Sequence, residues 1–479
     1  MNIPVLLARK RHARAFAAST VALAAGAIIL LRAPGGPLAA GVQVTTGRGP
    51  ASSVTFSGPR LHGRIALSQG AVAANGARQV YAEVRLSADQ GRDGAQARPV
   101  ALAVVLDTSG SMAGDKILQA RNAVLSLIEQ MRDSDQIALV TYSDGRNLVQ
   151  PLARVGDVRP RLRITIPTID AAGGTMIPQA LDLGASALAG APAGFSRRVV
   201  LVSDGQDGSG QPLTVISGDV RRRAELGFTV STLGVGEDYD DAFMTGIADA
   251  GRGNYEFLRD GSQLAGFLAR ELREAGATTV DQTVADVSLP AGWHLSHSFG
   301  AEASGTATHV TLPVGAMYAG SERTVVLDLT VDAGAEGTAG GLAATVHYRA
   351  VAEARDVTIE AGPLALRVVA DESQALATRD LTVFAASESV ALAQRQHDAV
   401  ETWRRGDTAR AYQMAQNNAQ SLARLQAVAP SAALAAQASE YSRDADTFNS
   451  VSAGSSAGRS YGLRSNVSNR ARQVRAISY

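Results

Sequence analysis

The sequence contains no cysteine. That absence excludes disulfides, a thiolate nucleophile, zinc sites built on sulfur, iron–sulfur clusters and haem attached through CxxCH. Lysine is almost absent too: only Lys10 and Lys116 occur, and the remaining basic charge is arginine, a usage that reads as genome composition. Net charge is zero, with 45 basic and 45 acidic side chains. A chain whose task is to coat nucleic acid or anionic lipid is therefore disfavoured. No Walker A string and no G-x-S-x-G elbow occur, and Gly234-x-Gly236 lacks the third glycine of a dinucleotide loop. None of the seven histidines lies between residues 98 and 277, which removes the side chain best suited to acid–base work there. His294 and His297 lie three apart in a strand, on opposite sides, and make a poor metal pair. What remains is a chain of 479 residues, 46% apolar and 19% charged, long enough for about three domains whose chemistry uses oxygen and nitrogen.

The first forty residues set an expectation about compartment. Arg9, Lys10, Arg11, His12 and Arg14 precede an uncharged run, residues 15–31, and a small-residue segment follows up to Ala40. Charge, apolar run and small residues in that order describe an export signal, cleaved near Ala39 or Ala40 or kept as an inner-membrane anchor. Either outcome places the chain in the periplasm or cell envelope. No later window approaches ~20 apolar residues, so the rest reads as soluble.

Residues 41–97 read as short strands, with alternation in Val80 to Leu86. From 98 to 277, apolar runs such as Val100 to Leu106 take turns with helical spacing such as Ile117, Ala120, Val124, Leu127 and Ile128. That pattern predicts a doubly wound α/β fold with a mostly parallel sheet. Residues 278–370 return to period two and predict a β-sandwich; either strands of 41–97 complete it, leaving the α/β domain inserted, or the two stretches form separate β-modules. Residues 371–449, rich in Ala and Gln, read as helices, with Gly406 and Asp407 stopping one and capping the next. From Ser450 to the end there are five Arg, no acid and many Ser and Gly, a composition that predicts a disordered tail.

Chemistry concentrates at three places in the α/β segment. Asp107-Thr108-Ser109-Gly110-Ser111 ends the first strand and sets three oxygen side chains at i, i+2 and i+4, with Gly110 expected to allow a tight turn. Gly173-Gly174-Thr175 precedes a helix, and Val199 to Asp204 ends another apolar strand with a carboxylate. In a doubly wound sheet all three belong to the edge where ligands sit. Three hydroxyls and two carboxylates form a hard donor set suited to Mg²⁺, or to Mn²⁺ or Ca²⁺. Asp207, Asp115 and Lys116, and the acidic Glu237 to Asp241, read as loop and helix-start residues.

At these residues the chain resembles the von Willebrand factor A domains. Asp107-x-Ser109-x-Ser111, Thr175 and Asp204 look like a complete metal-ion-dependent adhesion site, and the strings Gly174 to Leu181 and Thr232 to Gly236 are similar to those of such domains. The layout around them resembles bacterial envelope proteins of this family, and more loosely the inter-alpha-trypsin inhibitor heavy chains. The resemblance implies that Ser109, Ser111 and Thr175 coordinate an ion, with Asp107 and Asp204 bonded directly or through water. It also implies an open position for an acidic side chain of another envelope or surface protein. The leading expectation is thus an exported, non-enzymatic binding module, with Asp107→Ala abolishing capture and sparing the fold. Two other readings stand beside it: a metal-dependent hydrolase, and a scaffold in which sandwich and helices make the main contacts.

Overall fold

The computed structural model describes residues 42–43, 52–90, 97–237, 239–259 and 261–474. The expected export segment, residues 1–40, lies outside the described residues. Among those described, no helix is long and apolar enough to cross a membrane.

The α/β unit is built from β1 (Val100–Asp107), α1 (Asp115–Gln130), β2 (Gln136–Tyr142), β3 (Arg146–Arg154), α2 (Val155–Thr165) and α3 (Ile177–Ala187). It continues through β4 (Ser196–Ser203), α4 (Leu213–Glu225), β5 (Phe228–Val235), α5 (Asp241–Ala250), β6 (Arg252–Leu258) and α6 (Leu264–Gly276). The sheet order is β6-β5-β4-β1-β2-β3, parallel except for β3. Every residue of β1 is buried because both faces are covered. Leu102, Val104 and Leu106 share a core with Ile117, Val124 and Leu127 of α1 and Phe267 and Leu268 of α6. Ala101, Ala103 and Val105 meet Ile177 and Ala180 of α3, Ile216 of α4 and Ile247 of α5. Burying each Val, Leu, Ile or Phe side chain contributes about 1.5–3 kcal/mol, which explains why an uninterrupted apolar run becomes a central parallel strand.

Two six-stranded sheets take strands from both sides of this unit. Gly76–Ala88 runs antiparallel to Glu322–Ala333, with Val84 opposite Val325. In the other sheet Thr278–Ser288 lies between His309–Tyr318 and Gly337–Ala350. Phe56, Ile65, Leu327, Val346 and Trp293 fill the space between the sheets. The α/β unit is therefore an insertion between two strands that face one core. A bulge after Leu295 interrupts strand Trp293–Phe299. Both His294 and His297 are consequently exposed, the first bonded to Asp332 at 3.1 Å and the second against the Phe299 ring.

Helices α7 (Leu381–Arg404), α8 (Thr408–Val428), α9 (Ala432–Ser450) and α10 (Ser456–Val474) form a cap. Gly406 adopts φ +93° after α7, and the Asp407 side chain accepts from Arg410 N at the start of α8, the stop-and-cap chemistry that glycine and aspartate supply. The tail expected to be disordered is instead helix α10 over residues 456–474. Its composition misleads because its partners lie elsewhere. Leu463 is buried in the α/β core, Asn469 accepts from Tyr441 Oη at 3.1 Å, and Arg470 and Arg472 pair with Asp249 and Glu440. The acids missing from the segment are supplied by α5 and α9.

Candidate metal centre

Strand order reverses between β1 and β4, and at this switch point the connections on either side of a doubly wound sheet leave a crevice. Leu106 pairs with Val202 in register, so the next residues on each strand, Asp107 and Ser203, are neighbours. Ser203 Oγ donates to Asp107 Oδ2 at 2.8 Å, and Ser109 N donates to Asp107 Oδ1 at 2.8 Å. Asp107 is 0% exposed. Burial raises its carboxyl pKa above the usual range, while the Ser109 and Ser203 hydrogen bonds work in the opposite direction and the nearby Asp204 charge adds to the rise. Tyr142, at the end of β2, lies beneath with its hydroxyl 3.3 Å from Val202 O, and burial raises its pKa as well.

Above this base the remaining oxygens converge. Ser109 Oγ and Ser111 Oγ are 3.0 Å apart, and Ser111 Oγ donates to Asp204 Oδ1 at 2.7 Å. A Cβ on Gly205 would sit 3.3 Å from Thr175 Oγ1 and 3.7 Å from Ser111 Oγ, so both hydroxyls border the residue after Asp204. Three backbone hydrogen bonds hold the loops in place: Gly110 N to Gly173 O, Ala172 N to Thr108 O and Gly208 N to Thr175 O, at 2.8–2.9 Å. The structure thus brings together all five residues singled out from sequence: Asp107, Ser109, Ser111, Thr175 and Asp204.

Glycine does its work at two places, one of them unexpected. Asp144 accepts from Gly174 N at 2.8 Å, and a Cβ on Gly173 or Gly174 would meet the Asp144 carboxylate at 2.5 or 2.6 Å. Gly173 also has φ +86°, so this loop has no room for a side chain. Gly110 was expected to make the tight turn, yet it is not left-handed. Gly114, with φ +80° ahead of α1, supplies that freedom.

Sequence reasoning passed over three contributors. Lys116, in the first turn of α1, places Nζ on Asp204 Oδ2. Ser203 reads in sequence as the end of a strand, and only strand adjacency sets it on Asp107. Asp207 accepts from Ile177 N at 3.0 Å and so caps α3, the helix that follows Thr175. The Glu237 to Asp241 cluster serves other contacts. Asp240 caps α5 through Phe243 N, and Asp241 receives Arg404 Nη1 at 2.7 Å and Asn466 Nδ2 at 2.9 Å. Asp238 lies outside the described residues.

The donor set fits a hard divalent cation. Asp107 and Asp204 are 0% and 1% exposed, and among the described residues Lys116 is paired with Asp204 while Asp107 is held by the neutral donors Ser109 N and Ser203 Oγ. Buried carboxylates need positive charge nearby, and the Lys116 ammonium already shows a cation seated on Asp204. The surrounding Ser and Thr hydroxyls add neutral oxygen donors of the kind hard ions accept.

A doubly wound α/β domain with an all-oxygen cluster at its switch point is the class that the geometry defines. Residues 101–270 match the von Willebrand factor type A domain, and the chain carries that fold. Over 197 residues it is 32% identical to the uncharacterized protein YfbK of Escherichia coli strain K12, a stretch covering 40% of this chain and 34% of that protein. Human inter-alpha-trypsin inhibitor heavy chain H4 is 28% identical over 167 residues, covering 33% of this chain and 18% of that one. The chain therefore spans about a third of the first relative's length and under a fifth of the second's. Among solved structures, a von Willebrand factor type A protein from Catenulispora acidiphila superposes with a TM-score of 0.61 at 20% identity, covering 77% of this chain and 89% of that one. The ArnB paralog VWA2 from Sulfolobus acidocaldarius gives 0.60 at 16% identity, covering 88% and 100%. Both show a shared fold. Domains of this type are typically metal-dependent protein-interaction modules.

Proposed function

We propose that this chain is an exported, non-enzymatic protein-binding module of the periplasm or cell envelope. Its α/β domain would hold Mg²⁺, or Mn²⁺ or Ca²⁺ in its place, and use the ion to receive a carboxylate of a partner protein. The observation that carries this reading is the convergence of three hydroxyls and two buried carboxylates beside Lys116 at one switch point. Ser109, Ser111 and Thr175 would hold the ion through neutral oxygens, with Asp107 and Asp204 directly or behind water. When bound, a cation ligated mainly by neutral oxygens remains electrophilic toward an external acid. Asp107 orients the first loop through Ser109 N and is itself oriented by Ser203. The Gly173–Gly174 turn, laid over Asp144, positions Thr175. Export rests on the arrangement of residues 1–40.

Hydrolysis is a weaker reading on the same residues. No histidine lies in 98–277, and Asp107 is already engaged by Ser109 N and Ser203 Oγ, which leaves it poorly placed as a general base. The test is capture of an envelope protein, identified by mass spectrometry, on the immobilised chain in Mg²⁺ and in EDTA. Thr175→Ala, in a half-exposed loop, serves as the matched variant. Loss of the same partner in both EDTA and Thr175→Ala is expected. Capture indifferent to both would overturn the reading in favour of contacts through the sandwich or helices. Asp107→Ala is a poorer choice than sequence suggested, because it strands two buried donors at about 1–3 kcal/mol each.

Lys116 yields a second expected result. Its ammonium adds a positive charge at the carboxylate an incoming cation needs, and an interaction of that kind amounts to a few kcal/mol at effective dielectric constants near 20, before screening. Lys116→Met is expected to tighten Mg²⁺ binding by about tenfold in calorimetric titration. Unchanged or weaker binding would show that Lys116 supports the site.

A further inference from the structure

A cavity of roughly 750 Å³ lies where α4, the start of β6, the sandwich strands and the end of α10 come together, and none of the ion-site residues lines it. Its size and its place between structural blocks are those of ligand pockets. Two of its charged pairs are internally satisfied: Arg221 with Glu302, and Arg470 with Asp249. Arg221 belongs to the run Arg221-Arg222-Arg223, and the structure divides that run, since Arg222 pairs with Asp219 and Arg223 with Asp182. Arg252 is different. Among the described residues it forms no ion pair: the acids that act on it, Glu225 and Asp281, do so through space, and its Nε, like that of Arg470, is shielded from solvent without a hydrogen-bond partner. Burial lowers its pKa, yet a guanidinium stays charged at any ordinary pH.

The backbone is shaped around this side chain. Arg252 has φ +54°, a left-handed conformation at a residue that is not glycine. A Cβ on Gly315 would meet Arg252 Cβ and Cδ at 2.9 Å, so the Arg252 stem lies across the strand His309–Tyr318 at a point without a side chain. Conformations of this kind persist where surrounding structure holds them, often at ligand sites. Phe299, Pro313, Val314 and Val325 give the same cavity an apolar wall. A half-buried cation without a close partner among the described residues, set beside an apolar wall, is the complement of an anionic head on an apolar body.

We propose that this cavity binds a small organic anion, a carboxylate, phosphate or sulfonate carried on an apolar group, with Arg252 as the residue that receives the head. The inference is independent of the ion site, and EDTA is expected to leave it unchanged. The probe is 8-anilinonaphthalene-1-sulfonate, titrated by fluorescence against the full chain in EDTA, with uncharged N-phenyl-1-naphthylamine as the neutral counterpart. Saturable one-to-one binding of the sulfonate is expected, with the neutral analogue and Arg252→Met each weaker by about tenfold or more. Because Arg252 lies at the β5–β6 junction, a second variant leaves it in place: Ser217→Phe, at a cavity-lining position on the half-exposed surface of α4, adds bulk to the cavity and is expected to block the probe. Equal affinity in a folded Arg252→Met, equal affinity in Ser217→Phe, equal binding of the neutral analogue, or no saturable binding to the wild-type chain would each overturn the proposal.

Discussion

Thr175→Ala and Asp204→Asn are expected to weaken Mg²⁺ binding by about 10- to 100-fold, the range seen when a group supporting a metal is removed. Wild-type protein in Mg²⁺ at about 100 times Kd gains roughly 2.7 kcal/mol of stability, read as a rise in Tm that EDTA reverses. In both variants that rise should shrink or vanish, while the metal-free Tm of Thr175→Ala stays near wild type. The two substitutions act differently. Thr175→Ala removes one neutral donor from a half-exposed loop. Asp204→Asn takes one of two carboxylates from a buried cluster and leaves Lys116 without its partner, so its metal-free stability should fall as well. Titration calorimetry on the chelator-treated chain decides the matter. A wild-type chain that gives neither heat nor a Tm shift with Mg²⁺, Mn²⁺ or Ca²⁺ would remove the basis of the proposed function.

Trp403→Ala should have the largest effect on stability. Trp403 is fully buried, stacks on Phe448 of α9 at 5.0 Å and meets Tyr461 of α10 edge-on at 6.2 Å. It shares a core with Ala411 and Ala415 of α8, so a single side chain touches or shares a core with every other helix of the cap. Removing a buried Trp costs about 3–5 kcal/mol. The loss should spread beyond the helices, because α7 and α10 also hold α5 through Arg404 and Asn466 on Asp241. Denaturant unfolding followed by tryptophan-independent circular dichroism measures it, and a loss below about 1 kcal/mol would show that the cap does not depend on this common core.

How much of this was legible beforehand varied with the range of the interaction involved. The apolar run of β1 announced a strand covered on both faces, and the spacing of Ile117, Val124 and Leu127 announced the helix beside it, because burial imposes a local period. Asp107, Ser109 and Ser111 were visible for the same reason, being neighbours in one loop. Thr175 and Asp204 could be joined to them only through the expected edge of a doubly wound sheet and the family resemblance, since nothing local says that β1 and β4 are adjacent. Lys116 looked like an ordinary helix start, and it became part of the site only because α1 begins over the Asp204 loop. The helical cap shows the opposite error. Its Ala- and Gln-rich text hid a buried polar network in which Gln396 Nε2 donates to Asp444 at 2.6 Å and Asn418 Nδ2 donates to Gln396 at 2.9 Å.

Residues 456–474 mark the boundary most clearly. By itself, the sequence determined the alternation of strand and helix, the start and stop residues of helices such as α8, and the oxygen donors available in each loop, all of which depend on groups a few positions apart. Tertiary structure alone decided that an acid-free, arginine-rich segment would fold, because Asp249 and Glu440 reach it from other helices. It alone decided that Arg252 would be half-buried without a close partner among the described residues while Arg221, Arg470 and Arg472 each found one. Charge compensation acts through space and leaves no period along the chain, so it cannot be read until the chain has closed on itself.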